Sequence, residues 1–331
     1  MDTPHRLQNT WKRVTAETFT QEALDIFRYQ AQHNSIYRHY LEALRVQPDE
    51  VRSLDKIPFL PIRFFKDQTI KTGDFLATAI FESSGTTGQI PSRHHVKALD
   101  HYHEVCQQGW ERTFGPLTNF HFFALLPSYL ERKNASLVSM VDHFMQASDS
   151  DLGGFFLDNL PELVQRVEAA RQRGDRQVVL VGVTFALLDL VEQFPQAWPE
   201  VWVMETGGMK GRRKELLREE LHDILHQGLQ PQRVLSEYGM TELLSQAYTL
   251  PDGQWFDPPP WLRIQIRDVN DPFSAMEPGK AGGINVIDLA NIDSCAFIET
   301  MDVGCIGGKG VFKVMGRFDH AEVRGCNLMV Q

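Results

Sequence analysis

Cysteine is scarce in this 331-residue chain, and its four copies, Cys106, Cys295, Cys305 and Cys326, include no CxxC pair. That spacing argues against structural zinc, whose ligands come in close pairs, and fits a reduced, cytoplasmic setting better than a disulfide framework. Long apolar runs are missing too. The most apolar stretch, residues 178–191, is broken by Gly182, Thr184 and Asp189 and is shorter than the ~20 residues a membrane span needs. The polar start around His5, Arg6, Lys12 and Arg13 has no apolar run behind it, so no signal peptide is expected. Basic charge is in deficit, with 33 Lys and Arg against 43 Asp and Glu and a formal net charge of −10. A nucleic-acid or anionic-membrane partner is therefore not expected. Neither internal repeats nor low-complexity tracts are present. The remainder, 42% hydrophobic and 23% charged, describes a globular chain long enough for a large core and two domains or subdomains.

What the chain does have is a dense cluster of small hydroxylated residues. Ser83-Ser84-Gly85-Thr86-Thr87-Gly88 packs four hydroxyls and two glycines into six consecutive positions. Glycine permits positive φ and close backbone approach, and hydroxyls with exposed N–H groups supply neutral donors to phosphate oxygens. A surface linker has the same composition, so taken alone the stretch is open between linker and anion cradle. It is not the GxxxxGK[ST] loop, because no lysine closes it.

Along the chain, apolar spacing predicts two helices over residues 20–46, with Ala23, Leu24 and Phe27 on one buried face and Tyr37, Tyr40, Leu41 and Leu44 on another. Residues 75–81 read as a short strand leading into the hydroxyl-rich loop. His94 and His95 follow it, and a histidine pair is more often structural than a ligand set. Residues 121–126 read as a buried strand, and Leu137, Met140, Val141 and Phe144 mark the inner face of a helix. A helix over 161–173 ending at Gly174 and a β-branched strand over 178–183 come next. After a strand at 201–204, Glu205-Thr206-Gly207-Gly208 is expected to turn into a helix running to Gly228, then a strand at 233–236 leads to Glu237-Tyr238-Gly239-Met240-Thr241-Glu242. Strand, glycine turn, helix is where α/β folds place nucleotides, although a plain αβ connection looks the same. The last hundred residues are richer in glycine and short strand-like runs, which suggests a small β subdomain.

Five motifs occur in order: SSGTTG at 83–88, ETGGMKG at 205–211, EYGMTE at 237–242, TMD at 300–302 and GRFD at 316–319. Together they resemble the adenylate-forming superfamily of acyl-CoA synthetases, peptide-synthetase adenylation domains and luciferases. The resemblance implies an α/β fold: the N-terminal core of an adenylate-forming enzyme, with two sheet-and-helix subdomains plus a small β subdomain. Residues 1–80 would form a helical and extended part, 81–250 the ATP- and acyl-binding core, 251–315 the β subdomain, and 316–331 a hinge-like segment and tail. It also implies ATP and Mg²⁺ as cofactors and a carboxylic acid as substrate. Ser83, Ser84, Gly85, Thr86, Thr87 and Gly88 would hold the phosphates. Gly207 and Gly208 would flank the adenine, Tyr238 would stack on it, and Gly239 belongs to the same nucleotide-binding set. Thr241 would contact a phosphate and Glu242 would hold Mg²⁺. Asp302 would accept hydrogen bonds from the ribose hydroxyls, with Arg317 beside it. The chemistry agrees: a carboxylate attacking an α-phosphate needs oriented donors and a metal but no general base, being already ionised near pH 7.

The sequence departs from the superfamily pattern in three places. Arg93 stands near where relatives carry a lysine after the loop, Met301 stands where glycine is usual, and the sequence given stops at Gln331, twelve residues past Asp319. Relatives continue there into a mobile C-terminal domain with a catalytic lysine, which this core is expected to lack. The tail from Val323 to Leu328, with residues 57–66 and 126–140, resembles a narrower branch, the acyl-protein synthetases of bacterial fatty acid reductase systems. That resemblance implies a fatty acid as substrate and Cys326 as acceptor of the acyl group, which then passes to a protein such as a reductase or carrier. A thiolate attacks an acyl phosphate anhydride readily, and Arg324 would lower the thiol pKa. Cys106, Cys295 and Cys305 have no such setting and are expected in the core.

Overall fold

The computed structural model describes residues 4–83, 90–127, 134–207, 216–251, 253–277 and 279–318. After two single-turn helices at His5–Gln8 and Thr10–Arg13 come α1 (Phe19–His33) and α2 (Ser35–Ala43), with Asn34 between them accepting the Tyr37 N–H as an N-cap. Strand β1 (Leu60–Pro61) follows, then a hairpin of β2 (Ala79–Glu82) and β3 (Arg93–Val96). Strand β2 thus begins later than the 75–81 expected from apolar content. Next come α3 (Leu99–Phe114), β4 (Phe120–Leu125), α4 (Ser136–Ser148), β5 (Gly154–Phe156), α5 (Leu160–Arg173), β6 (Gln177–Val183) and α6 (Thr184–Gln193). The order continues with β7 (Val201–Thr206), α7 (Arg218–Leu229) and β8 (Arg233–Tyr238). Six further strands complete it: β9 (Ala247–Thr249), β10 (Phe256–Asp257), β11 (Leu262–Arg267), β12 (Gly282–Asp288), β13 (Phe297–Ile306) and β14 (Phe312–Arg317).

Strands β5, β4, β6, β7 and β8 lie side by side and parallel, as expected when helices connect successive strands. All six residues of β4 are buried, which explains why its sequence, His121 apart, is apolar without alternation. The parallel strands do not end the sheet. Strand β9 adds antiparallel to β8, and the order runs on through β10, β14, β13, β12 and β11, with β1 against β13. The glycine-rich last hundred residues therefore extend the same sheet. The joint between its parallel and antiparallel parts is slender: two residue pairs join β8 to β9, two join β9 to β10 and one joins β10 to β14.

Buried aromatics fill the centre, with Trp110 of α3 edge-on to Phe120, Phe122 and Tyr248 at 5.1–5.6 Å between ring centroids. Cys106 and Cys295 are buried as expected, whereas Cys305 is only half-buried. The N-terminal helices are fastened to the antiparallel part by polar contacts. Gln30 Nε2 donates to the carbonyls of Asn291 and Ile292 at 3.1 and 2.9 Å, and its Oε1 accepts the Ala296 N–H at 2.9 Å. Among the described residues no helix is long and apolar enough to cross a membrane.

Candidate active site

The carboxyl ends of β7 and β8 converge with β13 and β14, and the sequence motifs meet there. Strand β7 runs through Glu205 and Thr206, so the expected turn begins at Gly207, whose φ of 70° suits glycine. Beside it, Tyr238 ends β8. Its ring packs against Phe256 and edge-on to Phe312, at centroid distances of 5.8 and 5.2 Å. Its hydroxyl donates to Asp302 Oδ2 at 3.0 Å.

Asp302 comes from β13 and is paired in register with Arg317 of β14. That pairing sets Arg317 Nε 3.4 Å from Asp302 Oδ1, but Arg317 is largely exposed, so the pair orients more than it stabilises. Burial pushes the Asp302 carboxyl above the usual range, while Arg317 and the Tyr238 hydroxyl pull it back. The site thus offers a half-enclosed carboxylate flanked by a phenol and a guanidinium.

Glu242 sits two residues past Met240 in a turn and is 4% exposed. Burial raises its pKa; hydrogen bonding to Ser92 and the charge of Arg317 lower it, and Asp302 raises it. A buried carboxylate near a second carboxylate favours a bound cation. A single carboxylate completed by phosphate oxygens and water is also the way Mg²⁺ is usually held. Glu242 therefore fits the metal role.

The hydroxyl-rich loop is the connection of the β2–β3 hairpin. Ser83 N–H donates to the Ser92 carbonyl at 3.0 Å and its Oγ accepts the Ser92 N–H at 2.8 Å, closing the root of the loop. Ser83 therefore sits at the loop's base. Residues 84–88, Gly208 and Cys326 lie outside the described residues.

Several site residues escaped the sequence reading. Glu237, within EYGMTE, is half-buried and accepts from the Thr206 hydroxyl at 2.6 Å; desolvation and the neighbouring Glu205 push its pKa up to about 7. Gly239 follows because a Cβ there would lie 2.2 Å from Glu237 Oε1. Asp288 accepts from the N–H groups of Leu244, Ser245 and Ala290 at 3.0–3.1 Å, which fixes the segment after Glu242. His94 is buried as well, its Nδ1 2.8 Å from the Thr241 carbonyl oxygen. The only sequence signals were a carboxylate heading a motif and a histidine just beyond the loop.

No family model matches the chain. The long-chain-fatty-acid–luciferin-component ligase of Photorhabdus luminescens is 36% identical over 72 residues, 20% of this chain; the chain spans 61% of that relative's length. Among solved structures, an open conformation of 2-hydroxyisobutyryl-CoA ligase in complex with 2-HIB-AMP and CoA superimposes with a TM-score of 0.67 at 13% identity, over 93% of this chain and 72% of that one. The fold is that of the adenylate-forming ligases. The ATP-bound MatB of Rhodopseudomonas palustris shares this adenylate-forming fold at a TM-score of 0.55 and 18% identity, over 72% of this chain and 48% of that one. Within it, Tyr238, Asp302 and Arg317 meet as one constellation, with Glu242 close enough to feel Asp302 and Arg317 electrostatically.

Proposed function

We propose that this protein uses ATP to activate a carboxylic acid as its acyl-adenylate. The observation carrying this reading is the Tyr238–Asp302–Arg317 constellation, with Glu242 beside it, at the carboxyl end of β8 in an adenylate-forming fold. Asp302 would accept hydrogen bonds from ribose hydroxyls, Arg317 would assist there, and Tyr238 and Gly207 would flank the base. Thr241 would donate to a phosphate. Mg²⁺, held by Glu242, would neutralise charge on the phosphates. The acid's carboxylate oxygen bonds to the α-phosphorus as the bond to the pyrophosphate oxygen breaks. The chain's work is to align the carboxylate and to supply donors where negative charge accumulates.

In the finer reading the acid is a fatty acid and the acyl group then moves to Cys326. Its thiolate would attack the acyl carbon, forming a thioester and releasing AMP, before transfer to an acceptor protein. The Photorhabdus relative supports this branch by its name and its 36% identity over 72 residues. The rival, release of the acyl group to CoA, is favoured by the CoA complex of 2-hydroxyisobutyryl-CoA ligase.

Carboxylate-dependent ATP–pyrophosphate exchange and intact-mass analysis after incubation with ATP, Mg²⁺ and a panel of acids test both steps. An acyl adduct lost in Cys326→Ser while exchange persists is the expected result. Exchange with no adduct refutes the thioester step, and no exchange with any acid refutes adenylation.

A further inference from the structure

The Thr241–Glu242 turn belongs to no strand or helix, so its carbonyls need partners from elsewhere. Two side chains supply them. His94 of β3 reaches the Thr241 carbonyl oxygen at 2.8 Å, and Asn291 Nδ2 donates to the Glu242 carbonyl oxygen at 2.8 Å. Because a carbonyl only accepts, the His94 proton sits on Nδ1. Burial brings the ring's pKa down to about 4, so the imidazole is neutral and the donor unchanged across the neutral range. Phe65 meets the ring edge-on at 6.0 Å and fixes its plane, and Asn291 adjoins the ring. His94 lies two residues beyond Ser92, which closes the root of the β2–β3 loop with Ser83. One imidazole therefore bridges the strand leaving that loop and the turn bearing Thr241 and Glu242.

We propose that His94 is a positioning residue for adenylation. It holds the Thr241–Glu242 turn at a fixed distance from the β2–β3 hairpin, so that the Thr241 hydroxyl and Glu242 carboxylate keep their places toward the nucleotide's phosphates. This rests on the adenylation reading. An ordinary core histidine would affect stability alone, whereas a positioning residue affects the reacting geometry, where an error of about 1 Å costs about a hundredfold in rate.

The test compares His94→Leu, which removes the donor, with His94→Asn, whose amide can stand in for Nδ1–H, and His94→Gln, whose amide reaches past it. Three quantities are read: kcat and KM for ATP in carboxylate-dependent exchange, hydrogen–deuterium exchange of the peptide covering residues 240–246 without nucleotide, and the global unfolding midpoint. The expected result is a kcat loss of about 10- to 100-fold in His94→Leu and His94→Gln with KM for ATP within about threefold, and recovery to within about fivefold of the parent in His94→Asn. The 240–246 amides exchange about tenfold faster in His94→Leu while those of β4 and β6 do not change. If His94→Leu fails to fold, the contrast between His94→Asn and His94→Gln carries the same test. Equal activity in those two variants, or a rate loss that follows only the unfolding midpoint, overturns the proposal. Absence of exchange in the parent protein refutes the adenylation reading instead. The hydrogen-exchange arm then still judges the coupling, which stands if residues 240–246 lose protection and falls if they do not.

Discussion

Replacing Glu237 with glutamine gives the sharpest test of the electrostatics at the end of β8. The side chain is half-buried, accepts from the Thr206 hydroxyl, and titrates at about 7 in place of the ordinary 4.5, with desolvation the main cause. The unfolded chain releases this proton near 4.5 and the folded chain near 7, so between those values the unfolded state binds fewer protons. Stability therefore falls as pH rises through that window and levels off above it. At ~1.4 kcal/mol per pKa unit, the full loss is about 3 kcal/mol. Glutamine has the shape of the protonated acid, keeps an acceptor for Thr206 and does not titrate. Urea unfolding of the two proteins from pH 5 to 8.5 should give nearly equal stabilities at pH 5. At pH 8.5 the Glu237→Gln protein should be more stable by about 2–3 kcal/mol. Other carboxyls titrate in both proteins, and their contributions largely cancel in the difference. A gap that does not change with pH would refute the reasoning, because it would mean that Glu237 is solvated and ionises at its ordinary value.

Tyr238→Phe removes the hydroxyl that donates to Asp302 at 3.0 Å. Since that bond helps keep Asp302 ionised, its carboxyl pKa should rise further, and the stability loss of about 1–3 kcal/mol should be larger at pH 8 than at pH 5 in the same assay. Gly239→Ala places a Cβ 2.2 Å from Glu237 Oε1 and 3.3 Å from Gln246 Cγ. Overpacking of this kind costs about 1–3 kcal/mol, read as a lower unfolding midpoint, and the double variant Gly239→Ala with Glu237→Ala should recover part of it.

Much of the fold was legible because its strongest signals are local. The apolar run of β4, interrupted only by His121, the 3.6-residue spacing in α4 and α5, and Gly174 in the left-handed conformation after α5 need no partner elsewhere to be read. Joining of the two halves into one sheet was not legible, because β9 and β10 hold only three and two residues and carry almost no periodicity. The motif residues Tyr238, Asp302, Arg317 and Glu242 were singled out from their order along the chain. Their supports were not. His94, Glu237 and Asp288 act on residues 147, 31 and 43–44 positions away, respectively, and such pairings become visible only in the folded chain.

The slender joint in the sheet has a mechanical consequence. Six consecutive residue pairs bind β6 to β7 and six bind β11 to β12, so each half resists bending like a plate. Between β8 and β14 the ladder narrows to two, two and one pairs. There the halves are clasped mainly by side chains: Phe256 stacked on Phe312 at 5.2 Å, Tyr238 edge-on to Phe312 at 5.2 Å, and the Arg218 guanidinium 4.7 Å above Phe256. Torque applied to either plate is therefore concentrated at this crease. Tyr238 lies on one side of it and Asp302 on the other, so flexing the crease alters the span between them before it disturbs anything in the plates.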